Sequence, residues 1–146
     1  MSYLKVWIRL VWSTKIREPL LSKEIRSILF PHIRMNAQQK GIWIDFINGH
    51  TDHIHVLISL NKEQSIGGIV QLIKGESSFW INQQKLTRER FRWQDQYFAV
   101  SVSESGITKV RDYIKNQEEH HNKKTFQQEY EEFMQKYGFE IISSIA

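Results

Sequence analysis

Between Ile42 and Leu60 the chain reads IWIDFINGHTDHIHVLISL, and this stretch does most to limit the folds open to it. Residues 42–49 and 53–60 are both strand-like, with only His50, Thr51 and Asp52 between them. So short a connection suits an antiparallel hairpin, whereas a parallel crossover takes a dozen residues or more. Helical stretches flank the hairpin. Ser22 opens one in which Ile25, Ile28, Leu29 and Ile33 recur at three- and four-residue spacing; Pro31 is expected to kink it and Gly41 to end it. Ser65 caps a second, running toward Gln84 with Ile66, Ile69, Val70 and Ile73 on one face. LKVWIRLVWST (4–14) reads as a strand before the first helix, and YFAVSVS (97–103) as one after the second.

The order β-α-β-β-α-β predicts an α+β fold of the ferredoxin-like, RRM-like kind, an antiparallel sheet with two helices on one face. Two appended helices follow, at roughly 107–121 and 126–139. The second sheet face is expected to be uncovered, and function is expected there or on the appended helices. With 146 residues, no internal repeat and no linker, the chain is expected to be one domain over 1–146.

Composition excludes several classes of function. The longest apolar runs are of strand length, so no membrane span is expected. Lys5 and Arg9 interrupt the apolar N-terminus where a signal peptide needs an unbroken run. The absence of cysteine rules out disulfides, thiolate metal sites and a cysteine nucleophile. A cytoplasmic location is expected.

The hairpin's second strand carries the chemistry. Side chains alternate between faces along a strand, so Ile54, Val56, Ile58 and Leu60 share the face toward the helices. His53 and His55 then stand side by side on the other face with Leu57 and Ser59, their α-carbons roughly 7 Å apart. Two imidazoles leaning together across that gap can hold one metal ion, although two partly exposed histidines would give the same pattern. A further ligand has to come from elsewhere.

VRDYIKNQEEHH (110–121) offers candidates. Tyr113 and Gln117 are four residues apart and so adjacent on a helix. Val110, Tyr113, Ile114 and Gln117 also match an ordinary core stripe, in which Gln117 is the odd member because a buried amide needs partners. Joined to the histidines, an amide oxygen makes a three-ligand open site able to act as a Lewis acid on phosphorus. Tyr113 is then placed to attack that phosphorus, and a neighbouring cation would favour its phenolate. A covalent phosphotyrosine would conserve bond energy for rejoining a strand, which suits breaking and rejoining DNA.

The net charge of +4 inclines the chain toward anionic partners. In KLTRERFRW (85–93), Arg88, Arg90 and Arg92 alternate with Phe91 and Trp93, pairing backbone-neutralising charges with stacking surfaces. A solvated loop after a helix would look similar. The DNA contacts expected are Arg88, Arg90, Arg92 and Trp93, then Lys74.

DHIHVLISL, IKGESSFW and YIKNQEEHH, in this order within one small domain, resemble the single-tyrosine HUH transposases of small bacterial insertion sequences, the TnpA-type, IS-two-hundred-like group. The resemblance covers about residues 3–138. It implies His53 and His55 as the HUH pair, Tyr113 as nucleophile and Gln117 as third metal ligand, with His121 second in rank for that role and His120 also competing. It implies a homodimer in which one subunit's tyrosine helix completes the partner's site. The activity implied is cleavage and rejoining of single-stranded DNA at element ends through a 5′-phosphotyrosine, with a subterminal hairpin recognised by shape. Mg2+ or Mn2+ is the implied cofactor.

Rival readings use the same fold differently. A non-catalytic module would present its sheet to single-stranded nucleic acid, but the exposed positions of the third strand carry histidines rather than stacking aromatics. Replication initiators and relaxases share the chemistry but generally bring further domains or another histidine. A domesticated relative acting on repetitive palindromes fits the sequence as well.

Overall fold

The structure, a computed structural model, describes residues 2–117, 119 and 124–138. The elements run β1 (Trp7–Ser13), α1 (Lys23–Gln39), β2 (Trp43–Gly49), β3 (His53–Ser59), α2 (Ile66–Gln83), β4 (Phe98–Val102), α3 (Ile107–Lys115) and α4 (Phe126–Tyr137). The strands form one antiparallel sheet in the order β2-β3-β1-β4, as the ferredoxin-like pattern predicts. No helix among the described residues is long and apolar enough to cross a membrane.

Alternation sorts the side chains as expected on one face. Ile8, Leu10 and Trp12 of β1 and Ile54, Val56 and Ile58 of β3 are buried against Leu29, Ile33 and Ala37 of α1 and Ile69, Val70 and Ile73 of α2. Ser22 and Ser65 cap these helices, accepting from the backbone N–H of Ile25 and Gly68. Pro31 lies within α1, which continues through it to Gln39.

The opposite face is not open, which corrects the expectation from sequence. Ile107 and Ile114 of α3 pack on Trp7 and Leu57, while Phe126 and Phe133 of α4 pack on Val11. The appended helices thus roof the second face, because their apolar stripes have no other surface to bury against. A single-stranded nucleic acid lying across an open sheet has no room here.

The hairpin depends on one close approach. His50 N–H donates to the His53 carbonyl at 3.0 Å, folding the chain back on itself. A β-carbon at Gly49 would lie 2.3 Å from that carbonyl oxygen, so only glycine fits there. The hairpin pairs Asn48 with His55, and on the other side of β3 Val11 of β1 lies opposite His55 and Ser13 opposite His53.

Candidate active site

His53 and His55 lie on the roofed face, as the period of two requires, and both are fully buried. Their ring centroids are 5.1 Å apart. His53 Nδ1 pairs with Asp52 Oδ1 at 2.8 Å, which orients the ring so that Nε2 faces inward. Facing it are Gln117 Oε1 at 3.1 Å and Glu129 Oε2 at 3.6 Å. The Gln117 amide is oriented by its own Nε2, which donates to the Tyr113 carbonyl at 3.2 Å. His53 Nε2 and Gln117 Oε1 are within hydrogen-bond distance, and each is also an atom of the kind that binds a divalent cation.

His55 lies alongside. Its Nε2 lies 3.2 Å from Glu129 Oε1, but in a direction that makes no hydrogen bond, and both its ring nitrogens lack a hydrogen bond among the described residues. Burial, outweighing the pull of Glu129, holds its pKa down at about 3. A neutral buried imidazole of this kind keeps a ring-nitrogen lone pair of the sort a metal ion binds. One atom each from His53, His55 and Glu129 falls within 4.8 Å of the others. The mixed nitrogen and oxygen set fits a divalent cation such as Mn2+ or Mg2+.

Tyr113 stands beside this group. Its hydroxyl donates to Glu129 Oε1 at 2.6 Å, and its ring meets His55 edge-on at 6.0 Å. Burial first, then the Glu129 charge, raises its pKa well above the ordinary phenol value of 10.0. α3 is fixed over the site by β2. Asn48 Nδ2 donates to the carbonyls of Ile114 and Lys115 at 2.9 and 3.1 Å, and Arg111 grips Asp45 at 2.7 and 2.8 Å. Within the single chain Tyr113 thus lies beside the chain's own His55 and Glu129.

Two residues of the site were missed from sequence. Glu129 is 3% exposed and lies on α4 between Phe126 and Phe133, so the spacing 126, 129, 133 puts a carboxylate in an apolar stripe. That misfit was the available signal. Phe126 stacks on His53 at 4.2 Å and seals it from above. Arg9, in the otherwise apolar run VWIRLVW, is 7% exposed, with its guanidinium 4.8 Å from the Tyr113 ring centroid and 4.6 Å from that of Phe133. His120 and His121 lie outside the described residues.

A family model described as "Transposase IS200 like" matches residues 2–117, which hold both histidines, Tyr113 and Gln117. The chain belongs to the IS200-like transposases. The ISDra2 transposase TnpA of Deinococcus radiodurans is 27% identical over 113 residues, covering 74% of this chain and 81% of that one. A crystal structure of a protein provisionally described as a transposase, from Deinococcus radiodurans R1, superposes with a TM-score of 0.65 at 25% identity, covering 80% of this chain and 93% of the other. A REP-associated tyrosine transposase bound to a REP hairpin shares the fold, with a TM-score of 0.62 at 15% identity over 83% of this chain and 72% of that one.

In this transposase the expected DNA contacts divide. Arg88, Arg90 and Arg92 are exposed along an open groove of about 970 Å³ between α2 and the 85–97 segment. Trp93 turns the other way, which corrects its reading as a stacking surface. It is 5% exposed, meets Trp12 edge-on at 6.1 Å and donates its Nε1–H to Ser77 Oγ at 2.9 Å. Phe91 is buried beside it, so alternation in this run sends the aromatics to the core and the arginines outward. Lys74 lines the groove half-buried, with its ammonium donating to the carbonyls of Gln94 and Asp95, and this desolvation lowers its pKa.

Proposed function

We propose that the chain cleaves and rejoins single-stranded DNA at insertion-sequence ends by transesterification, with Tyr113 as nucleophile and a divalent cation at His53, His55 and Glu129, Gln117 beside them. The observation that carries this reading is the gathering of those four side chains into one buried group whose Glu129 accepts the hydroxyl of one tyrosine. When bound, the cation supplies Lewis acidity to a phosphate oxygen and positive charge that favours the phenolate. Glu129 already accepts the Tyr113 hydroxyl proton in a hydrogen bond and is the group placed to take it. Tyr113 Oη forms the new bond to phosphorus, the bond to the 3′ oxygen breaks, and that oxygen takes up a proton to leave as a 3′-hydroxyl. The reverse step rejoins a strand without an external energy source.

Burial adds a requirement. His53 and His55 are fully covered by α3 and α4, so on this reading α4 withdraws to admit the strand. The basic groove supports an approach path: Gln94 and Tyr97 line it and also line a cavity of about 280 Å³ that reaches Phe126 and Tyr130 of α4. Arg88, Arg90 and Arg92 would hold a subterminal hairpin there through its phosphates. The homodimer implied by the resemblance belongs to the same reading, and sedimentation of the full chain with and without DNA tests it.

The test of the chemistry mixes the protein with labelled single-stranded oligonucleotides from both ends of its own genetic element, in Mn2+ or Mg2+. A covalent protein–DNA adduct on a denaturing gel is expected, absent in Tyr113→Phe and absent with a chelator. An adduct that persists in Tyr113→Phe removes Tyr113 as nucleophile. Hairpin binding with no adduct in either metal removes the cleavage reading.

A further inference from the structure

Arginine loses its charge only under extreme conditions, so burying one without full hydrogen bonding is costly unless the site uses it. Arg9 is such a residue. It projects from the centre of the sheet onto the histidine face, one alternation along β1 from Val11, which pairs with His55. Its Nε and Nη2 have no hydrogen-bond partner among the described residues. Its guanidinium meets the rings of both Tyr113 and Phe133. Burial depresses its pKa, opposed by the charges of Tyr113 and Glu129 and by a hydrogen bond with Tyr113. A structural strut would have its donors satisfied. Two unused donors on a fixed planar cation match two oxygens of a phosphodiester.

Resting on the transposase reading above, we propose that Arg9 is a catalytic residue whose free donors bind a non-bridging oxygen of the scissile phosphate as Tyr113 attacks it. Phe133 and Glu129 both come from α4, so the withdrawal that opens the histidines also bares Arg9. As the Tyr113 Oη–phosphorus bond forms and the phosphorus–O3′ bond breaks, the charge gathering on the non-bridging oxygens meets a guanidinium already in position. The same contact holds the phosphotyrosine until a 3′-hydroxyl returns.

The test uses full chains carrying Tyr113→Phe, which are expected to bind without cleaving, in a chelating buffer so that no metal ion shares the phosphate with Arg9. Two oligonucleotides are compared, one natural and one with a neutral methylphosphonate at the linkage where the wild-type chain forms its adduct. With Arg9 in place, affinity is expected to fall about tenfold on losing the phosphate charge, the scale of one charge-assisted hydrogen bond. With Arg9→Met the two oligonucleotides are expected to bind within about twofold of each other. Arg9→Lys keeps the cation, and the fold with it, should the methionine chain not fold; it is expected to discriminate by only about threefold, having lost the fork. Discrimination of about tenfold in every folded variant overturns the proposal for Arg9 alone. A wild-type chain that forms no adduct overturns the cleavage reading, and the role of Arg9 with it.

Discussion

Mild acid should loosen the metal-free protein through His55. The folded chain holds this imidazole at about 3, against an ordinary value of 6.5, because burial penalises the cation. Between those values the unfolded chain binds a proton that the folded chain refuses. Stability from this group is therefore complete above the unfolded value and drains away as the pH falls through the window from about 6.5 toward 3. The limiting slope is about 1.4 kcal/mol per pH unit, and integration from about pH 7.5 to about pH 5 gives a loss of about 2 kcal/mol. For a chain of this size that lowers Tm by roughly 4–8 °C. Stopping near pH 5 keeps most carboxylates ionised, so their titration stays out of the measurement. Urea unfolding followed by tryptophan fluorescence in a chelating buffer reads the change. His55→Gln, which cannot titrate, should lose about 2 kcal/mol less than the wild type over the same interval. Equal losses in the two chains would refute the claim that a buried neutral His55 sets the acid limit.

Two further outcomes follow from the same geometry. Gly49→Ala drives a β-carbon to 2.3 Å from a backbone oxygen that cannot step aside, and should cost about 1–3 kcal/mol in denaturant unfolding. No loss would mean that the hairpin strands do not approach so closely. Glu129→Gln keeps the shape and removes the charge, so Mn2+ affinity by calorimetry should weaken at least roughly tenfold. Unchanged affinity would take Glu129 out of the ligand set.

Local periodicity carried the expectations that held. Ile54, Val56 and Ile58 point one way and His53 and His55 the other because a strand has no alternative, and the four-residue step from Tyr113 to Gln117 survives in the hydrogen bond between them. The expectations that failed concerned what lies opposite a residue. Nothing within VWIRLVW says that Arg9 will meet a tyrosine more than a hundred positions away. Two helices against two sheet faces leave one face open only as long as the stripes of α3 and α4 have no surface to bury against. Glu129 was overlooked for a related reason, since a carboxylate among phenylalanines reads as a solvated position until its helix is docked. Trp93 misled because alternation gives two faces without saying which is outside.

The roof over the histidines bears on selection as well as chemistry. α4 contributes Phe126 against His53 and Glu129 against His55, so on the function proposed above a strand competes with the protein's own side chains for the same positions. If α4 is unseated in one molecule in about a hundred, the apparent affinity at the site is about a hundredfold weaker than its intrinsic value. The basic groove lies outside the surface that α4 covers, so a hairpin held there needs no such opening. Docking and admission are then separate events. A stray single strand without the hairpin has to displace α4 from free solution, while a tethered one makes the attempt repeatedly at high local concentration.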